Sequence, residues 1–157
     1  MGSPIRSLQP RIPSLFGRLT ILLSSHERQL ATLEKLREMC NAIEAGQSSL
    51  PAALEPNRLL SDLGCELSVH FAADESVAHF GTIARTRTDL LPRVVDLRAD
   101  HAGLQRALAR IELIATDPDR RTELPPLVSS LLVDLAAHEQ AESELVEEFL
   151  WRRAPAF

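Results

Sequence analysis

Side chains that bind metals recur at helical spacing along this chain. Each of four predicted helices carries one histidine in its apolar stripe, and two of these stripes also carry a carboxylate four residues after that histidine. Residues i and i+4 of a helix lie one turn apart on the same face. Buried carboxylates are normally paired or bound to a metal. The spacing therefore predicts six ligand-type side chains in one core. They are His26, His70, Asp74, His101, His138 and Glu142.

The donor types favour a pair of transition-metal ions. Imidazole with carboxylate and without thiolate suits Fe, Mn, Zn or Cu. The first half of the chain has His26 and then His70 with Asp74, and the second half repeats the order with His101 and then His138 with Glu142. Two such halves would place two ions around a pseudo-two-fold axis, bridged by the carboxylates, and this favours Fe and then Mn. The Glu-x-x-His pattern of ferritin-like di-metal proteins is absent.

Four amphipathic stretches must position these residues. Apolar residues at three- and four-residue spacing predict four helices, and each histidine falls near the middle of its helix, so that all four can meet at one level. Segments rich in Pro, Gly, Ser or Asp separate the first helix from the second and the third from the fourth. The predicted helices run over about 14–45, 57–81, 88–115 and 122–152.

These elements predict an all-α fold, an antiparallel up-down-up-down four-helix bundle. The bundle spans 15–152, after an irregular N-terminal arm at 1–14 and before a short tail at 153–157. No alternating apolar pattern indicates a strand.

Each predicted helix has its own apolar stripe. In the third and fourth helices the stripe surrounds His101 and His138. In the second it continues past Asp74 to Val77 and Gly81, which leaves His79 off the stripe and exposed to solvent. The first stripe consists of Leu19, Leu23, His26, Leu30, Leu33, Arg37 and Cys40.

Composition narrows the function classes. The 157 residues carry a net charge of −5, and no basic stripe of the kind that binds nucleic acid stands out. No apolar run reaches the 18 residues that indicate a membrane span. In an antiparallel bundle Cys40 and Cys65 lie roughly 13 Å apart along the axis, too far for a disulfide. We therefore predict free thiols in a cytoplasmic protein that binds neither nucleic acid nor membrane.

The segments around the four histidines resemble the hemerythrin-like family, also called HHE cation-binding domains. They read LLSSHERQLATL, LSVHFAADESV, LRADHAGLQRAL and LAAHEQAESELVEEFLW, and the resemblance spans about residues 15–151. It implies two iron ions (Fe2+/Fe3+) with an oxo or hydroxo bridge, or Mn or Zn in their place. It also implies that the four histidines are terminal ligands, that Asp74 and Glu142 bridge the ions, and that O2 binds at an open position.

The chain departs from the oxygen-carrying hemerythrins. Gln105 stands where their third helix has a second histidine, Asp74 replaces their usual glutamate, and Glu142 follows its histidine by four residues where they have Asp at five. Glu75 is an alternative to Asp74, although it is turned about 100° from the stripe. Extra ligation by Gln105, Glu27 or Glu139 is left open. The departures favour sensing, storage or detoxification of O2 or a related small molecule over simple O2 carriage.

Other interpretations remain open at this point. Two open metal positions would suit a di-iron enzyme that reduces peroxide or NO. The protein could instead be an interaction module, in which a bundle that folds around its metal is recognised by a protein partner or by a second copy in a homodimer. A mononuclear Zn or Ni bundle of the DinB type usually has a His-x3-His pair, which this chain lacks.

Overall fold

The computed structural model describes the backbone of residues 15–151 and the side chains of residues 27–151. Within this range the chain is helical and has no strand, which confirms the all-α prediction. It has five α-helices where the sequence predicts four. They are α1 (Leu15–Glu44), α2 (Pro56–Asp74), α3 (Phe80–Thr86), α4 (Leu91–Ala115) and α5 (Leu124–Trp151). The predicted arm at 1–14 and tail at 153–157 lie outside the described residues.

The four long helices share one leucine-rich core. Helix α1 contacts α2 and α5, and α4 contacts the same two helices. Leu36, Leu60, Leu63 and Leu124 are fully buried in this core. His101 and His138 are buried, and so are the apolar residues predicted around them in the stripes of α4 and α5. These include Val94, Leu97 and Leu104 in α4, and Leu131, Leu135 and Leu145 in α5. The core therefore holds two histidines on facing helices.

The stripe predicted for α1 is wrong by one residue at several positions. Leu30 is 48% exposed and Arg37 is exposed, whereas Gln29, Leu36 and Met39 are buried. Rotating the stripe by one position exchanges Leu30 and Arg37 for Gln29, Leu36 and Met39 in the core, so that the charged residue reaches solvent. The buried amide of Gln29 is satisfied, because its Nε2 donates a 2.6 Å hydrogen bond to Glu139 Oε1.

The prediction that the second helix continues to Gly81 is also wrong. Helix α2 ends at Asp74, and α3 begins after a short turn. Phe80 and Ile83 are buried in a second apolar cluster with Val94 and Leu145, among others. Burying these two side chains requires the chain to leave the axis of α2, and the gain in burial outweighs the periodic pattern. Val77, predicted to be in the stripe, is 67% exposed.

Gly46 ends α1 in a left-handed conformation, with φ of 75°. The amide of Gly46 bonds to the carbonyl of Ile43, and the amide of Gln47 bonds to that of Ala42. This is the Schellman arrangement, in which a glycine satisfies the last carbonyls of a helix.

Replacing Gly46 by alanine should lower the free energy of unfolding by about 1 kcal/mol, because a Cβ disfavours positive φ. For a protein of this size that is roughly 2–4 °C in melting temperature. Gly103→Ala is the matched control. Gly103 lies inside α4 with open space where a Cβ would project, so alanine there should stabilise the protein. Melting curves that move in the same direction for both variants would contradict the assignment.

Cys40 and Cys65 are free thiols, as the helix register predicts. Burial raises the pKa of Cys40 to about 11, with a smaller contribution from the charge of Glu44. The Cys40 thiol therefore stays protonated at neutral pH and is a poor nucleophile. Among the described helices, none combines the length and the apolar character needed to cross a membrane.

Candidate metal centre

Three helices bring five of the six predicted ligands together. His70 and Asp74 lie at the end of α2, His101 lies in α4, and His138 and Glu142 lie in α5. The sixth, His26, belongs to α1, but its side chain lies outside the described residues. Its backbone position is three residues before the buried Gln29, which places both positions on one face of α1.

The ring of His101 is held by two nearly parallel phenylalanine rings and by a contact at one edge. It stacks on Phe71 with ring centroids 4.0 Å apart, and Phe80 lies on it at 5.9 Å. Its Nδ1 is 2.8 Å from Glu75 Oε1. A carboxylate only accepts, so Nδ1 carries the proton and Nε2 presents its lone pair. A carboxylate behind a histidine in this way is typical of metal-ligating imidazole.

His138 faces His101 across the core. The two Nε2 atoms are 3.2 Å apart, and two nitrogens about 2.1 Å from one ion are separated by roughly this distance. Burial lowers the pKa of His138, and the neighbouring His101 lowers it further, so its imidazole is neutral at neutral pH, as a metal ligand must be. His138 Nδ1 has no hydrogen-bond partner, although Asp100 Oδ2 lies 3.7 Å away.

Asp74 lies between the histidines. Its side chain is only 5% exposed, and Oδ2 is 3.2 Å from His70 Nε2 and 3.8 Å from His101 Nε2. His70 Nε2 is also 3.5 Å from Glu142 Oε2. The close pair of Asp74 Oδ2 and His70 Nε2 is not aligned as a hydrogen bond, so both atoms are buried polar atoms without a partner. A cation between them would satisfy both.

In the absence of a metal, the charge of the Glu142 carboxylate is balanced by a proton on His70. The nearby carboxylate of Glu142, and after it that of Asp74, raises the pKa of His70 against the opposing effect of burial. Burial by itself would raise the pKa of Glu142, but the close contact with His70 and the charge of that histidine lower it overall. Protonated His70 beside ionised Glu142 is therefore the favoured form without metal. A metal ion would take the place of that proton.

His79 belongs to this site, which corrects the prediction that it is exposed. Its side chain is 33% exposed, and its Nδ1 is 3.3 Å from Asp74 Oδ1 and 4.0 Å from Glu142 Oε1. The hydrogen bond to Asp74 raises the pKa of His79. The prediction failed because it assumed a continuous second helix. The turn after Asp74 folds His79 back over the end of α2, and no local sequence signal marks this.

Two groups of ligand atoms can each hold one ion. We call Asp74, His101 and His138 the His101 group, and His70, Asp74 and Glu142 the His70 group; within each, the ligand atoms lie within 4.8 Å of one another. Asp74 belongs to both. Imidazole and carboxylate donors without thiolate fit Fe, Mn or Zn. The donor set and the unpartnered buried atoms are therefore compatible with two ions that share Asp74.

The remaining candidate ligands have other surroundings. Gln105 is exposed and lines a surface groove with Gly64 and Ser68. Glu27 is exposed. Glu139 is half-buried and accepts from Gln29. Of the two adjacent carboxylates, Asp74 is buried, whereas Glu75 is exposed and contacts His101 Nδ1.

Comparison of the chain with known protein-family models, curated proteins and solved structures gave no match.

Proposed function

We propose that this protein holds a dinuclear metal centre, with iron as the metal, and binds O2 or a related small molecule for sensing, storage or detoxification. The observation that carries the proposal is the buried Asp74 carboxylate, which is common to both ligand groups. A carboxylate has two oxygens and is therefore suited to bridge two ions. Resemblance of the four histidine segments to hemerythrin-like proteins supports iron over Mn or Zn.

The proposal includes the arrangement of the helices. The four long helices would form the antiparallel up-down-up-down bundle, with α3 as an insertion between the second and third. The contacts of α1 and α4 with both α2 and α5 support this. Cytoplasmic localisation is part of the same proposal and is consistent with the free thiols of Cys40 and Cys65.

In this proposal each side chain has a defined role. With a metal bound, His101 and His138 would each present an Nε2 lone pair from facing helices, and Glu75 holds the His101 ring in the required tautomer. Phe71 and Phe80 cover the faces of His101 and keep that side of the site dry. When bound, a pair of irons would supply one-electron redox chemistry and affinity for O2, NO or peroxide.

Metal content tests the proposal directly. Protein expressed with added iron should contain close to two irons per chain, measured by elemental analysis. It should also show iron charge-transfer bands in the near ultraviolet that the metal-free protein lacks. Less than half an equivalent of iron would contradict it. The alternative function, reduction of peroxide or NO, predicts many turnovers per metal pair. A single stoichiometric oxidation would argue for a sensor or carrier instead.

Glu75→Gln should weaken metal binding by about 10- to 100-fold, because a carboxylate behind a metal-bound imidazole typically contributes this much. The amide is similar in size but lacks the charge that holds the proton on His101 Nδ1. Titration with Zn2+ against a competing chelator measures the loss. Glu144→Gln, an exposed residue on α5, is the control. If the two variants bound Zn2+ with equal affinity, Glu75 would not be the residue that orients His101.

Metal binding should weaken as the pH falls. The raised pKa of His70 means that the metal-free site keeps its proton to a higher pH than a free imidazole would, and the metal must displace that proton. Lowering the pH therefore favours the protonated, metal-free form, and raising it removes the competition. Calorimetric titration in buffers with different ionisation enthalpies should reveal proton release at neutral pH. Binding that takes up protons would contradict this assignment.

A further inference from the structure

His79 lies near the same two carboxylates as His70, those of Asp74 and Glu142, but it is close to the other oxygen of each. Its Nδ1 is 3.3 Å from Asp74 Oδ1 and 4.0 Å from Glu142 Oε1. His70 Nε2 lies near Asp74 Oδ2 and Glu142 Oε2, at 3.2 and 3.5 Å. A histidine that only supported one carboxylate from outside would face that carboxylate alone. His79 instead has one nitrogen within 4.0 Å of both carboxylates.

The backbone holds His79 in this position. Its amide donates to the carbonyl of Ser76, and its own carbonyl accepts from the amides of Thr82 and Ile83. The next residue, Phe80, is fully buried. The histidine is therefore anchored on both sides rather than carried by a loose loop, and such preorganisation favours ligand binding.

We propose that His79 is a fifth imidazole ligand of the metal centre and binds an ion through Nδ1 together with Asp74 and Glu142. This inference rests on the proposed metal-binding function. It places a ligand on the turn between α2 and α3, whereas the other histidines are on long helices.

Loading with Co2+ under anaerobic conditions tests the inference, since this ion reports its ligands by NMR. In His79→Ala one of the two ions should bind at least about tenfold more weakly than in the wild type. The spectrum should lack one shifted, exchangeable imidazole N–H signal. Free imidazole should restore binding, because the His79 ring is partly open to solvent. Val77→Ala, an exposed residue of the same turn, is the control, and His79→Gln is the second variant if the alanine variant does not fold.

The outcomes separate the two proposals. Wild-type protein that binds no Co2+ would overturn the proposed function and the role of His79 with it. Two ions bound equally well by wild type and His79→Ala would overturn only the role of His79. Weakened binding with an unchanged number of shifted imidazole signals would make His79 a positioning residue and would also overturn the inference. Loss of one signal together with rescue by imidazole would establish His79 as a ligand.

Discussion

Replacing Asp74 by asparagine is expected to abolish paired metal binding. Asp74 is the residue common to both ligand groups, and its Oδ2 lies within 4 Å of His70 and His101. The amide preserves the shape of the side chain, but it removes the negative charge and turns one oxygen into an N–H2 group. An N–H2 group cannot ligate a cation, so the bridge between the two ions would be lost.

Metal content per chain measures this effect. We expect wild type to retain close to two ions, and Asp74→Asn to retain fewer than one. Asp62→Asn makes the same chemical change on the same helix, at a residue whose side chain is 55% exposed, and should keep the wild-type content. If Asp74→Asn held two ions with wild-type affinity, Asp74 could not be the shared ligand.

Removing the metal is expected to destabilise the protein strongly. An ion that binds only the folded chain adds about 4 kcal/mol when its free concentration is 1,000 times its Kd. For a chain of this size that corresponds to a fall of roughly 8–16 °C in melting temperature on chelation. The candidate site joins α2, α4 and α5 through Asp74, His101 and His138, so an ion bound there would cross-link three helices.

Scanning calorimetry of the loaded and the chelated protein measures this difference. Asp74→Asn serves as the control, because a variant that retains fewer than one ion should show a smaller fall in melting temperature on chelation than the wild type. Identical melting temperatures for loaded and chelated wild type would mean that the ion contributes nothing to the fold.

The sequence predicted the elements whose pattern is long and regular. In α4 and α5 an apolar residue recurs on almost every turn, so the stripe has one possible position, and His101 and His138 are both 2% exposed within it. Asp74 was placed correctly in the buried face of α2 because it follows Leu60, Leu63 and Leu67 at helical spacing. Local periodicity is sufficient in these cases.

Two features depend on contacts between distant residues and could not be predicted. The register of α1 places Gln29 inside, where it bonds to Glu139 on α5, 110 residues away. The end of α2 at Asp74 follows from burying Phe80 against residues of α4 and α5. The placement of His79 is a consequence of that turn. A helical pattern that ignored α4 and α5 therefore missed one residue of the site.

Anomalous scattering at the iron edge, from crystals of the iron-loaded protein, tests the central claim most directly. We expect two peaks about 3.5–4 Å apart, one beside His101 and His138 and the other beside His70 and Glu142, with Asp74 between them. A single peak, or none among these side chains, would contradict a dinuclear centre.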